Sequence, residues 1–175
     1  MNGFHRTYFE IIQSIESAIK DRKIITSLIL LYSAIDSFSN IANQSNKSGR
    51  KVFIKWVDKW MLEENNLTCN SIDIYAARCG VLHGFISESD LSNNGNAKKI
   101  CYAWGNASLL ELESSIKKTK KENEYIALKL EDIFQSFRIG MANCIDEIEK
   151  DENWRNSFEL KASKYFTTSP SGTNS

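Results

Sequence analysis

The sequence predicts a mainly α fold, a helical bundle of four to five principal helices with a small two-stranded β element. Apolar residues recur at three- and four-residue steps along most of the chain, which is the pattern of helices with one buried face. The single proline, Pro170, lies near the C-terminus, so no proline interrupts the interior. A chain of 175 residues with 42% hydrophobic content is also long enough to bury one core.

The first half of the chain contains three predicted helices. The first presents an apolar stripe made of Phe4, Tyr8, Ile11, Ile12, Ile15 and Ile19. The second presents a wider stripe, which indicates a central helix, made of Ile24, Leu28, Leu31, Ile35, Phe38 and Ala42. After a turn-rich loop, the third helix places Trp56 and Trp60 four residues apart on one face. Two such tryptophans suit either the core or a surface between two copies of the chain.

A fourth helix is predicted from its two ends. Asn70 or Ser71 can accept hydrogen bonds from the first free backbone amides, and Asp73 lies favourably in the first turn. Gly84 can adopt the left-handed conformation that ends a helix. This fourth helix carries the motif that we consider for chemistry.

The second half of the chain predicts a small sheet and one long helix. Residues near 100–104 and 124–128 have the β-branched and aromatic content of short strands, with a short helix between them. The long helix covers residues 130–149. We therefore expect a single helical domain over residues 1–166. The tail, residues 167–175, is rich in Thr, Ser, Gly and Asn, and we expect it to be disordered.

Composition and charge argue against several classes of function. Lysine plus arginine equals aspartate plus glutamate at 22 each, so no overall field attracts the chain to nucleic acid or to a membrane. The four cysteines include no Cys-x-x-Cys pair, so we expect reduced thiols, no metal site and no cofactor. The N-terminus lacks the long apolar core of a signal peptide. We therefore expect a soluble cytoplasmic protein without membrane contact.

One short motif combines an arginine with one of the two histidines, Arg78 and His83. The arginine fork fits two phosphate oxygens, and a histidine, with a reference pKa of about 6.5, can transfer protons near neutral pH. Residues five apart on a helix differ by about 140° around its axis, so the two side chains would not share a face. We expect them to converge only where Gly80 loosens the helix.

The string from Asp73 to Gly84, with its Arg, four residues and His near the end of a bundle helix, resembles an uncharacterised bacterial branch of the HEPN superfamily. Members of that superfamily are helical bundles often found in bacterial toxins and phage-defence systems. The resemblance implies a metal-independent endoribonuclease with a composite site between two copies of the chain in a homodimer. It also implies that His83 promotes attack by the 2′-hydroxyl and that Arg78 stabilises the phosphate. The helix pattern extends the resemblance over residues 4–150, whereas only the motif is specific.

The motif departs from active members in one position and leaves a structural alternative open. The residue after the arginine is commonly Asn, Asp or His in those members, whereas here it is Cys79, a weak hydrogen-bond donor. In the structural alternative, Arg78 is held by Asp73 or by Asp36 of the second helix. His83 then only satisfies carbonyl groups at a helix end. Such a chain would be a catalytically inactive HEPN-like module that dimerises or binds an antitoxin or another protein partner.

A separate group of residues suits contact with RNA. Lys98 and Lys99 belong to the densest basic positions, and Tyr102 and Trp104 have rings that can stack on bases. Packing in the core of a short strand is the favoured alternative for the two aromatic residues. A third hypothesis is therefore binding of RNA or a nucleotide without cleavage.

Overall fold

The computed structural model describes residues 2–45, 47–63 and 67–164 of the chain, and the predicted tail lies outside the described residues. The described part is mainly helical with one small sheet, which confirms the predicted fold class. Its elements are α1 (Asn2–Lys20), α2 (Ile24–Ala42), α3 (Arg50–Val57), a π-helical turn (Asp58–Leu62), α4 (Ser71–Gly84), α5 (Asp90–Asn93), β1 (Lys99–Ala103), α6 (Leu109–Lys118), β2 (Tyr125–Lys129), α7 (Leu130–Lys150) and α8 (Glu152–Ala162).

The central helix of the bundle is α2, as its wide apolar stripe predicted. It contacts α1, α3, α4, α7 and α8. Phe38 lies at the middle of an aromatic cluster, with ring contacts to Phe4, Tyr8, Trp56, Phe137 and Phe158. By length and composition α2 would also be able to cross a membrane, but half of it is buried inside the protein. This burial is what a core helix of a bundle requires.

Trp56 and Trp60 of the third predicted helix belong to the core. Their exposed fractions are 5% and 7%, and the Trp56 indole Nε1 donates a hydrogen bond to the Cys144 sulfur at 3.4 Å. The core alternative therefore holds for this pair, and its position gives no indication of self-association.

A π-helical turn follows α3, where the sequence predicted an uninterrupted helix. The Glu63 backbone N–H donates to the Asp58 carbonyl, five residues earlier. The turn packs closely on α7: the Ser136 hydroxyl donates to the Met61 carbonyl at 2.6 Å. A Cβ on Gly140 would lie only 2.3 Å from the Trp60 carbonyl oxygen. Glycine at position 140 therefore permits the close approach of α7 to this turn.

The two predicted strands pair as a parallel sheet. The register runs from Lys99 opposite Tyr125 to Ala103 opposite Lys129, and α6 provides the crossover that parallel strands require. The sheet is joined to the bundle by a hydrogen bond between the hydroxyl groups of Tyr102 and Tyr32, whose oxygen atoms lie 2.6 Å apart.

Two helices were not predicted from the sequence, the four-residue α5 and the longer α8. Helix α8 packs on α2 and α7 of the bundle. It buries only Phe158 and Ala162, which is too few apolar residues for a clear period. Polar contacts with the loop after α2 hold it instead. The Trp154 indole donates to the Ala42 carbonyl at 2.6 Å, and Lys161 donates to backbone carbonyl groups of the same loop.

Candidate functional site

Asp73 closes the N-terminal end of α4. Its backbone N–H donates to the Asn70 side chain at 2.9 Å, and the Asn70 N–H donates back to its carboxylate at 3.1 Å, as in a capping box. The other carboxylate oxygen accepts from the Lys98 backbone N–H at 2.7 Å. With 1% exposure and these partners, Asp73 stabilises the helix and its junction with β1. The expectation that it holds Arg78 is therefore wrong.

Asp36 of α2 holds Arg78 instead, which is the other predicted partner. The Arg78 Nη2 donates to Asp36 Oδ2 at 2.8 Å, and the side chains are 18% and 26% exposed respectively. Burial by itself would lower the pKa of Arg78, but the hydrogen bond and charge of Asp36 outweigh it and raise the pKa. Arg78 is thus a fixed cation at the edge of the core.

The structure brings Arg78 and His83 together. Their Nη1 and Nε2 atoms lie 3.2 Å apart, although α4 continues as a regular helix through Gly84. The prediction that the helix must loosen is wrong, because the long arginine side chain spans the separation. A guanidinium only donates hydrogen bonds, so Nε2 is the acceptor in this contact. The His83 ring is otherwise exposed to solvent.

Gly80 has a different role from the predicted one. A Cβ at this position would lie 2.5 Å from the Glu88 carbonyl oxygen and 2.6 Å from that of Ile86. The chain after α4 folds back onto the helix at this point, and only glycine leaves room for its backbone. This contact fixes the segment that follows His83.

The C-terminal end of α4 is closed by Phe85, and the expectation that Gly84 adopts the left-handed conformation is wrong. Phe85 has φ 54° and ψ 31°, a conformation that costs a residue with a side chain about 1–2 kcal/mol. Its ring is 66% exposed, and the following Ile86 is 56% exposed. Two large apolar side chains directly after His83 are thus exposed to solvent.

Two residues near Arg78 were missed by the sequence analysis. Tyr75 lies one helical turn before Cys79, and the Arg50 guanidinium lies 5.6 Å from the centre of the Tyr75 ring. Burial first, and then the adjacent Cys79 thiol, raise the pKa of Tyr75, whereas Arg78 and Arg50 oppose the rise. The three- and four-residue spacing of Tyr75, Arg78 and Cys79 is the sequence signal that would have grouped them.

The four residues predicted to contact RNA have partners other than Arg78 and His83. The Lys99 ammonium pairs with Glu88 at 2.8 Å, and the Lys98 backbone binds Asp73. Tyr102 binds Tyr32, and burial first raises its pKa well above the ordinary value. Trp104 packs against the hydrophobic core. For Tyr102 and Trp104, the structure therefore favours the core alternative over base stacking.

The arrangement offers a fixed cation, an adjacent imidazole and solvent access, which together suit the polarisation of a phosphate and transfer of one proton. Asp36 orients the cation from α2, and Cys79 lies beside it. The described ranges contain no cluster of three or more His, Cys, Asp or Glu side chains arranged to bind a metal ion. Comparisons of the chain with protein-family models, with curated proteins and with solved structures find no significant match.

Proposed function

We propose that the chain is a HEPN-like, metal-independent endoribonuclease, as the resemblance implies, acting in a toxin or phage-defence setting in the cytoplasm. The observation that carries the proposal is the 3.2 Å contact between Arg78 Nη1 and His83 Nε2, with Asp36 at 2.8 Å on the other side of the guanidinium. Arginine and histidine in contact at a solvent-accessible surface supply charge stabilisation and proton transfer at one phosphate.

The proposed reaction is an internal transfer at phosphorus. When the Arg78 guanidinium turns to a bound phosphate, it frees the lone pair on His83 Nε2. That nitrogen then accepts the proton of a 2′-hydroxyl, and the 2′-oxygen forms a bond to phosphorus. The bond from phosphorus to the 5′-oxygen breaks, and that oxygen takes a proton from an acid. The products are a 2′,3′-cyclic phosphate and a free 5′-hydroxyl. Arg78 stabilises the negative charge that develops on the phosphate oxygens.

A second copy of the chain supplies the acid in this proposal. The described part of one protomer places a single histidine at the site, because His5 lies on α1 and is not among the residues around Arg78. A homodimer that brings two motifs together provides one imidazole as base and one as acid. The exposed Phe85 and Ile86 beside His83 provide apolar area for contact between the copies.

The test uses purified wild-type protein and the variants Arg78→Ala and His83→Ala, each incubated with a mixed RNA pool in EDTA. Arg6→Ala and His5→Ala are matched controls, since both residues are exposed on α1. We expect cleavage ending in cyclic phosphate from the wild type and both controls. The two motif variants should lose at least about a hundredfold in rate, the usual contribution of one proton-transferring group. Folding and oligomeric state are compared beforehand by circular dichroism and sedimentation.

Undiminished cleavage by a folded His83→Ala protein would contradict the assignment. Absence of cleavage by every protein would favour the second candidate function, a catalytically inactive HEPN-like module that dimerises or binds an antitoxin. Two observations favour that candidate: Arg78 is already paired with Asp36, and two apolar side chains are exposed beside the motif. This candidate is tested by measuring the molecular mass in solution of the wild-type protein and of the Phe85→Ser variant.

A further inference from the structure

A basic cleft lies outside the Arg78 site. It is an open cleft of about 950 Å³ between the end of α2 and its following loop, α3 with the π-helical turn, and Trp154 of α8. The cations that line it are Lys47, Arg50, Lys51, Lys55 and Lys59. No described aspartate or glutamate lines the cleft, and none of the five cations forms a salt bridge within the described ranges.

Positive charge is concentrated in this cleft, although the chain as a whole has a formal net charge of zero. Lys51 and Lys55 lie one turn apart on α3, so their side chains share a face, and Lys59 follows in the π-helical turn. Asp58 and Glu63 lie in an adjoining groove that shares Lys51, Lys55 and Lys59, but they do not line the cleft. Unpaired cations at this density attract a ligand with several negative charges.

The N-terminal end of α3 also opens on the cleft and suits an anion. Gly49 precedes it, no side chain caps its first amides, and its first turn contains no acidic residue. Helix N-termini carry partial positive charge and free N–H groups, which bind phosphate. The Arg50 guanidinium adds planar donors at the same point. Two independent features, the helix end and the row of lysines, thus favour phosphate groups.

The floor of the cleft is aromatic but mostly covered. Trp56 and Trp60 are 5% and 7% exposed, and the Lys59 ammonium lies over the Trp60 ring at 4.3 Å from its centre. The Trp154 indole N–H is already donated to the Ala42 carbonyl. Trp56 and Trp60 therefore expose little ring surface on which a base could stack. Recognition in this cleft therefore depends on phosphates and has little dependence on base identity.

One side chain, Arg50, connects the cleft with the surroundings of Arg78. Arg50 lines the cleft and also lies over the ring of Tyr75, whose neighbours on α4 are Arg78 and Cys79. A chain of phosphates bound along α3 would thus lead towards the motif. A polymer fits this run of cations better than a single small anion does.

We propose that this cleft binds single-stranded nucleic acid through its phosphates, without sequence preference. Binding here does not depend on cleavage at Arg78 and His83. A short 2′-O-methyl oligoribonucleotide allows binding to be measured apart from cleavage, because its blocked 2′-oxygen cannot attack phosphorus and the strand stays intact. It binds the cleft whether or not the proposed nuclease exists.

The experiment measures fluorescence anisotropy of that labelled oligonucleotide with the full chain over a range of salt concentrations. Lys51→Gln/Lys55→Gln removes two charges from the cleft, and both residues are exposed, so the fold should be kept. Lys117→Gln/Lys118→Gln is the matched control on α6, which packs on the β-sheet. We expect the cleft variant to lose about tenfold in affinity and roughly 1.4 in the log–log salt slope, about 0.7 for each phosphate contact. The control should bind like the wild type.

Equal losses in the two double variants would overturn the proposal, because they would show nonspecific attraction to any lysine. Absence of binding by the wild type at low salt would overturn it as well. Competition arms distinguish other occupants. Displacement by inorganic triphosphate at an equal phosphate concentration would indicate a small-anion site, and tighter binding of polyglutamate would indicate an acidic protein partner. Either result would overturn the proposal that the ligand of the cleft is a nucleic acid.

Discussion

At the N-terminal end of α4, Asp73 is buried and both of its carboxylate oxygens accept backbone hydrogen bonds. At the C-terminal end, His83 is exposed, Phe85 holds a left-handed conformation and two apolar side chains face solvent. The same helix thus has one end in which polar groups are satisfied and one end that is strained and open. Strain and exposure of this kind persist where the surrounding structure holds them, and they are common at functional sites. The satisfied end fixes the helix that carries Arg78 and His83.

The largest effect is expected at the N-terminal end, from Asp73→Ala. The substitution removes the carboxylate half of the capping box and leaves the backbone N–H groups of Asn70 and Lys98 without a partner, which should lower the free energy of unfolding by about 3 kcal/mol. Urea unfolding measures this change. Asp132→Ala is the control, an exposed acidic residue in the first turn of α7, with an expected cost of a few tenths of a kcal/mol. Equal effects of the two would contradict a structural role for Asp73.

Gly80→Ala tests how the two ends are joined. The new Cβ would lie 2.5 Å from the Glu88 carbonyl oxygen, so the segment after α4 must move, at a cost of about 2 kcal/mol in the free energy of unfolding. Gly84→Ala is the matched change, because Gly84 has helical φ and its new Cβ would meet only the flexible Ile86 side chain. That variant should gain up to about 1 kcal/mol from helix propensity.

The outcome is read by thermal unfolding of both alanine variants beside the wild type. A Gly80→Ala protein as stable as Gly84→Ala would show that the returning segment does not need the close contact. The proposed cleavage of RNA gives a second measurement, since the segment contains the residues that follow His83. Loss of activity in Gly80→Ala with activity kept in Gly84→Ala would connect the contact with the site.

A smaller effect on stability is expected from the Arg78–Asp36 ion pair. Its side chains are about four-fifths buried, so a double-mutant cycle of Arg78→Ala and Asp36→Ala should give a coupling of about 1 kcal/mol in unfolding free energy. The exposed Arg6–Glu10 pair provides the comparison cycle, with an expected coupling of a few tenths of a kcal/mol. A coupling near zero for Arg78 and Asp36 would show that the pair orients the guanidinium without stabilising the fold.

Much of the fold follows from the sequence, because periodicity reports burial directly. The stripes of α2 and α7, and the two short strands, were predicted within a few residues. Helix α8 was not predicted, because it is held by polar contacts from Trp154 and Lys161 to a distant loop. Such contacts produce no apolar periodicity in the sequence. The same reason applies to the π-helical turn, whose position depends on packing against α7.

The candidate site was predictable in part. Asp36 lies at the margin of the α2 stripe, where a buried carboxylate needs a cation, and this placed it beside Arg78 correctly. The partner of Asp73 was not predictable, because the Lys98 amide comes from 25 residues further along the chain. The role of Gly80 depends on a segment that folds back. The basic cleft was missed because its lysines are spread over two elements and a loop, so no dense run of charge marks them.

The smallest effect is expected from the left-handed residue at the open end. Phe85→Gly should raise the free energy of unfolding by about 1 kcal/mol, because glycine adopts positive φ without steric cost. Phe85→Ala keeps the Cβ and therefore the strain, while it removes the exposed ring, so the difference between the two variants isolates the backbone contribution. Both variants should weaken association of two copies equally if the ring lies between them. A Phe85→Gly protein that is stabilised but no longer dimerises would show that the strained backbone at this end of α4 is retained for contact with a second copy. A Phe85→Gly protein with no gain in stability would show that the C-terminal end of α4 is not strained, and the contrast with the N-terminal end would be lost.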